Sequence, residues 1–265
     1  MTETKRRQRG NARADRRAKR ERSTRASVPF ITRRVPTFEL ASEEVLALIE
    51  NNADTVLETI GIDFRDDPLA LDLLKQAGAS VEGERVRFPK GMCREIISSS
   101  APAEFTQHAR NPDRSVRIGG NHTVLVPAYG SPFVHDLDKG RRYATLSDFE
   151  NFTRLAYMSP SLHHSGGTLC EPVDLPVNKR HLDMIYSHLR WSDKPFMGSV
   201  THPDRAQDTV DMAKIAFGDD FLDTHCAITS LINANSPMTF DATMLGAARV
   251  YAENNQATVI SPFIL

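Results

Sequence analysis

The sequence predicts an α/β protein: about the first half of a TIM-type (β/α)8 barrel, preceded by an α+β subdomain and a basic tail. Three observations lead there. From Leu162 onward a short strand-like run ending in small or polar residues is followed by an amphipathic helix, three times over, and a fourth run reaches the last residues. The runs begin near Leu162, Phe196, Ala227 and Ala257, roughly 34, 31 and 30 residues apart, which is the length of a βα crossover unit. Residues 35–146, by contrast, mix two helical patterns with short β-like runs separated by Gly, Pro and Asn, and show no such rhythm. Charge is segregated as well. Residues 1–34 carry 13 Lys/Arg against 3 Asp/Glu, and the remaining residues carry 20 against 31, so an acidic body bears a cationic tail. The expected units are therefore 1–34, a disordered basic tail; 35–146, the α+β subdomain; and 147–265, the first half of a barrel.

Each element follows from local chemistry. The tail has almost no apolar residue before Val28 and cannot bury a face. In 36–60, Ser42 is an N-cap with Glu43 and Glu44 in the first turn, and Leu46, Ile49, Ala53, Val56 and Ile60 recur at helical spacing. Gly61 ends that helix and Ile62-Asp63-Phe64 reads as a strand. A helix from Pro68 to Ala77 closes at Gly78, and Val81 to Phe88 alternate as a hairpin around Glu82-Gly83. Short strands follow at Val116 to Ile118, Thr123 to Val126 and Phe133 to Leu137. Ser147-Asp148-Phe149-Glu150 is a capping box for a helix to Met158. The barrel helices show inward stripes at Leu182, Ile185 and Leu189; at Val210, Ala213 and Phe217; and at Leu245, Ala248 and Ala252. Pro203 suits a first helical turn and Asp241 an N-cap.

Composition removes several function classes. The 265 residues are 40% hydrophobic and 25% charged, enough for a sizeable soluble core. No apolar run of membrane-spanning length exists, and no apolar stretch follows the basic tail as in a secretory signal. Three scattered cysteines, Cys93, Cys170 and Cys226, argue for a reducing cytoplasm and against a disulfide framework. The tail is expected to be a solvated arm lying on its own or a sister subunit's acidic surface. RNA binding through it is the weaker alternative, and would be lost in salt.

Barrel active sites gather at the C-terminal ends of the strands. Here those ends are His163-His164-Ser165-Gly166-Gly167, Met197-Gly198-Ser199, Ser230 through Asn233 with Asn235, and Ser261-Pro262-Phe263. Adjacent strand residues face opposite sides, so His163 and His164 cannot both point inward, and a shared metal would prefer alternate positions. His225-Cys226 lacks metal spacing too, so no metal site is expected. One of the two histidines acting on substrate competes with both being structural. Glu171 lies in the loop after the first barrel strand, as a carboxylate near the mouth or as an exposed loop acid. Gly119-Gly120-Asn121-His122 is a poor phosphate cradle, because neither a helix nor a lysine follows it. Trp191 reads as a packing residue.

Several motifs in order resemble the trimethylamine methyltransferase family. They are Leu162-His163-His164-Ser165-Gly166-Gly167-Thr168, Asp174-Leu175-Pro176-Val177-Asn178 and Lys194-Pro195-Phe196-Met197-Gly198-Ser199. Leu231-Ile232-Asn233-Ala234-Asn235-Ser236-Pro237 and Ser261-Pro262-Phe263-Ile264-Leu265 extend the likeness, as do the Arg-rich start, Gly61-Ile62-Asp63-Phe64 and Ala109-Arg110-Asn111-Pro112. The resemblance implies a barrel enzyme that moves a methyl group from a methylated amine, trimethylamine or a quaternary amine such as glycine betaine, to the cobalt of a corrinoid protein. It implies a corrinoid (cobalamin) carried by that partner, a small methylated amine as substrate and a homo-oligomer. Family members continue past Leu265, and the pyrrolysine of the archaeal enzymes would fall in that part. For such a reaction His163, His164 and Glu171 are the candidate catalytic groups, and Tyr129, Phe133, Asn233 and Phe263 the candidate substrate-binding groups. The aromatic faces and Glu171 would hold a cation, and a histidine with Asn233 would hold a betaine carboxylate. The alternatives are a noncatalytic fragment or pseudoenzyme keeping binding or assembly contacts, and a metal-dependent barrel hydrolase, which the histidine spacing disfavours.

Overall fold

A computed structural model describes residues 28–235 and 237–262. The tail up to residue 27 and Phe263 lie outside the described residues. Residues 28–34, grouped with the tail on charge, lie against a sheet. Strand β1 (Ile31–Thr32) pairs antiparallel with 122–123, and Phe30 meets the His122 ring edge-on at 4.9 Å.

The first half follows the expected order, with one added helix. Helix α1 (Glu43–Thr59) is capped by the Ser42 hydroxyl, which accepts from the Val45 N–H. Strand β2 (Ile62–Arg65) leads to α2 (Pro68–Gln76), where Asp67 is the cap and Pro68 opens the first turn. Strands β3 (Ser80–Glu82) and β4 (Arg85–Arg87) form the predicted hairpin, and α3 (Met92–Ser100) follows, unforeseen. Strand β5 (Glu104–Gln107) then pairs with β6 (Val116–Gly119), which turns into β7 (His122–Thr123), shorter than expected. A Cβ on Gly119 would sit 2.2 Å from the Ala103 carbonyl, so this glycine serves the close approach of β5, not a phosphate. A separate hairpin joins β8 (Phe133–Asp136) to β9 (Gly140–Tyr143).

The second half begins with α4 (Leu146–Met158). Its capping box uses Thr145 and Asp148, two residues before the predicted Ser147–Glu150 pair, because Arg142 grips the Asp148 carboxylate with two hydrogen bonds of 2.6 and 2.7 Å. Then come α5 (Arg180–Trp191), β10 (Phe196–Met197), α6 (Pro203–Phe217), a single turn α7 (Phe221–Thr224), β11 (Ile228–Ala234), β12 (Thr239–Asp241), α8 (Ala242–Glu253) and β13 (Ala257–Pro262). Strands β10, β11 and β13 make one parallel sheet in chain order. Ile228 and Ile232 pack on Ala206, Val210, Ala213, Ala247 and Tyr251 in the main core. Alternation puts Thr229, Leu231 and Asn233 on the opposite face. No sheet closes on itself among the described residues.

The run at 162–167 is irregular, although a strand was expected there. Ser165 N–H donates to the Pro195 carbonyl and Met197 N–H to the Gly166 carbonyl, both at 2.8 Å, so it lies beside β10. Gly166 at φ +89° and the side-chain bonds of its neighbours prevent a ladder. A second departure is β12, which pairs parallel with β2 in the sheet of the first half, with Phe240 stacked on Phe64 at 5.7 Å. Arg249 on α8 pairs with buried Asp67 at 2.6 Å across the same junction.

Two buried side chains fasten the remaining pieces. Gln107, fully buried at the end of β5, donates through Nε2 to the carbonyls of Phe196 (2.9 Å) and Ala227 (3.2 Å), and its Oε1 lies 3.1 Å from His164 Nε2. Next to it His108 N–H donates to the Cys226 carbonyl at 2.7 Å. Lys194 is buried without a carboxylate on its ammonium. It donates to the carbonyls of Ala156, Ser159 and Leu162 at 2.8, 3.0 and 2.7 Å, satisfying the negative end of α4. Burial, with Arg114 nearby and Asp193 opposing, lowers its pKa to about 8.

Replacing Gln107 by Leu leaves the His164 imidazole N–H buried without its partner and strips the side-chain donor from the Phe196 and Ala227 carbonyls, which keep their ladder bonds between β10 and β11. At about 1–3 kcal/mol for the orphaned N–H, with less for each carbonyl, we expect a loss of about 2–3 kcal/mol and a lower urea midpoint at unchanged slope. An unaltered midpoint would show that the amide does not join the halves.

Candidate functional site

The C-terminal ends of the parallel strands carry the site residues because the backbone there is packed tightly against aromatic side chains. A Cβ on Gly198 would lie 2.2 Å from the Tyr251 hydroxyl oxygen, and that hydroxyl donates to the Ser199 carbonyl at 2.6 Å. A Cβ on Gly167 would lie 2.5 Å from the Tyr129 ring. Gly130 N–H donates to the Thr168 carbonyl at 2.7 Å and Glu171 N–H to the Ser131 carbonyl at 2.9 Å. The 129–131 loop is thereby laid over the segment after Gly167. Burial raises the Tyr129 phenol pKa, a hydrogen bond with Thr168 opposes this, and the Glu171 charge adds to the rise. Tyr129 and Glu171 are thus brought together.

The other sequence candidates disperse. His163 and His164 are both buried. His163 Nδ1 accepts from the Leu125 N–H at 2.9 Å while its own N–H donates to the Leu125 carbonyl. Burial and the Lys194 charge lower its pKa. In His164, Nδ1 accepts from Gly166 N–H at 2.9 Å and Nε2–H donates to Gln107, so both nitrogens are committed. Phe133 lies on β8 with the Arg141 guanidinium 3.9 Å above its ring, so that face already holds a cation. It borders a separate apolar cavity of about 370 Å³ beside Phe152, Leu155 and Leu169. Asn233 lies near the end of β11, level with Ser261 of β13. Phe263 is outside the described residues.

Sequence reasoning passed over the residues of α5. His188 is fully buried, with Nδ1 2.7 Å from the Ser165 hydroxyl and Nε2–H donating to the Gly167 carbonyl at 2.8 Å. His181 lies seven residues earlier on the same helical face, a spacing legible in the sequence. Its Nε2 is 2.6 Å from Asp208 of α6. Arg180 donates to Glu171 at 2.5 Å. A cavity of about 60 Å³ lies among Thr168, Glu171, Arg180, His181, Ser199 and Arg205, between α5, α6 and the end of β10.

The family model described as "Trimethylamine methyltransferase (MTTB)" matches residues 6–265. A protein of Desulfitobacterium hafniense (strain Y51) named "Glycine betaine methyltransferase" is 44% identical over 235 residues, covering 87% of this chain and 48% of its own length. "Proline betaine:corrinoid methyltransferase" of Eubacterium limosum is 26% identical over 176 residues, covering 65% of this chain and 35% of its own length. The chain spans half or less of the length of these relatives. Among the described residues no helix is long and apolar enough to cross a membrane.

The two fully buried histidines set a pH response. Burial, helped by the neighbouring His188, holds His164 at a pKa of about 3. Burial, opposed by the Gly167 carbonyl, holds His188 at about 4. Below the unfolded value of about 6.5 the unfolded chain binds protons that the native state refuses. Stability is therefore full above pH 6.5 and falls as pH drops toward 4. Each histidine contributes a slope of roughly 1.4 kcal/mol per pH unit. Urea unfolding from pH 7 to pH 4.5 should show this fall, and His188→Gln should remove about half of it. A flat profile would contradict the burial.

Proposed function

Because the chain belongs to the trimethylamine methyltransferase family, we propose that it serves a methyltransferase that carries a methyl group from a quaternary betaine to the cobalt of a corrinoid protein. The carrying observation is the 44% identity to a protein named for glycine betaine. The name of the second relative, which includes a corrinoid, supports a corrinoid-bearing partner as acceptor. The three parallel strands and the polar run beside them are read as the first part of a barrel whose mouth lies at Gly167, Gly198 and Asn233.

The reduced corrinoid supplies the nucleophile that attacks the methyl carbon. The chain's own residues have three tasks: to hold the donor, to expose one methyl group and to keep water out. A quaternary nitrogen is already a cationic leaving group and needs no proton, whereas a tertiary amine must first be protonated. The buried histidines near the strand ends suit the first case, since burial lowers the pKa of His163 and His164 and of His188 on α5, keeping them neutral and poor as acids. A quaternary cation has no N–H to donate, so an aromatic face and a nearby carboxylate recognise it. Tyr129 and Glu171 offer that pair, and Arg180 fixes the Glu171 carboxylate in place. Asn233 lies on the sheet face away from the helices.

A noncatalytic role in binding or assembly is the second reading, favoured by the exposure of Val259 and Ile260 on β13. One assay separates the two. The protein from the complete reading frame is mixed with a reduced corrinoid protein and, separately, glycine betaine, proline betaine or trimethylamine, and the corrinoid absorbance is followed. Transfer is expected with glycine betaine, and Tyr129→Leu should lower kcat/KM by about tenfold, the worth of one desolvated cation–π contact. No transfer from any donor, by protein shown to be folded, would support the noncatalytic role.

A further inference from the structure

We propose that the cavity between α5 and α6 is an oxyanion pocket that takes a small carboxylate. Two adjacent buried nitrogens point to it: Arg180 Nε and His181 Nδ1 have no hydrogen-bond partner among the described residues, and both side chains line this cavity. Arg180 Nε–H can only donate, so whatever fills the space must bring an acceptor. His181 is 93% buried by its 7% exposure and is held at its other nitrogen by Asp208. The Asp208 contact fixes the ring and leaves Nδ1 for whatever fills the cavity. Arg205, on the first turn of α6, completes the set. Its guanidinium donates to the Thr201 hydroxyl at 2.9 Å and makes no salt bridge with a described carboxylate. Arg180 is by contrast neutralised by Glu171, so Arg205 is the surplus positive charge.

The size and walls narrow the ligand further. A volume of about 60 Å³ admits a carboxylate head or a few waters and no large molecule. Met184, Ile185 and Met197 make the remaining wall apolar, which suits a short carbon chain. Glu171 borders the cavity, and its backbone N–H is held by the Ser131 carbonyl of the 129–131 loop. A betaine seated with its carboxylate here would carry its ammonium on the Glu171 side of the cavity. This last placement rests on the methyl-transfer reading; the oxyanion pocket does not.

The test is calorimetric titration of the protein with acetate, glycine betaine and choline, with no corrinoid present. In parallel the His181 imidazole is followed by nitrogen NMR in histidine-labelled protein. Acetate and glycine betaine should bind and shift the His181 Nδ1 resonance, and choline, which has the cation and no carboxylate, should not. Arg205→Gln should weaken acetate binding roughly tenfold, the usual worth of a charge-assisted pair, and Arg205→Lys should restore part of it. Asp208→Asn keeps a hydrogen-bond acceptor for His181 Nε2 but weakens the contact that fixes the ring, and should weaken acetate as well. Choline shifting His181 as acetate does, or acetate affinity indifferent to Arg205, would overturn the proposal. Acetate binding intact in a protein without methyl transfer would support the pocket and reject the betaine reading alone.

Discussion

The amide of Gln107 is the constraint on which the upper part of the molecule depends. It offers donors and an acceptor at once, and it uses all of them on three different pieces of backbone or side chain. Its acceptor sets the tautomer of His164. That tautomer leaves Nδ1 to receive the Gly166 N–H, and Gly166 in turn receives the Met197 N–H. A glutamate at this place would lose the donors, and a leucine would lose everything. The irregular run at 162–167 keeps its position through these contacts instead of through a ladder.

The same economy governs charge. The interior holds imidazoles, His164 and His188, whose nitrogens are matched to backbone groups and to the Gln107 and Ser165 side chains, and a lysine whose charge is spread over three carbonyls. At the rim of the strand ends the charges are paired or hydrogen-bonded, as with Arg180 and Glu171 or the His181 contact with Asp208. A site arranged in this way presents fixed dipoles and ion pairs to a charged guest and few groups that change protonation near neutrality.

Much of this was legible in the sequence, and the reasons for the rest are physical. Helical spacing and caps located α1, α2 and the helices of the second half, because those signals are local. The thirty-residue rhythm located β10, β11 and β13. It failed at Leu162, where buried polar side chains and a left-handed Gly166 override strand propensity. It could not show β12 joining β2, since pairing between distant segments leaves no local mark. Tyr129 and Glu171 were chosen by residue type near expected loops, and their loops pack on one another. His181, His188 and Arg205 were missed because an apolar stripe drew the eye to Ile185, and their partners lie on other elements. Phe133 was a sound guess about chemistry undone by its neighbour Arg141.

The pairing of β2 with β12 bears on synthesis of the chain. Residues 62–65 leave the ribosome long before 239–241 exist, so the β2 edge has no partner while most of the second half is being made. Phe64 and Asp67 stay without Phe240 and Arg249 for the same interval. The nascent first half is thus the stage most in need of protection against premature association, and the arrival of α8 closes that window.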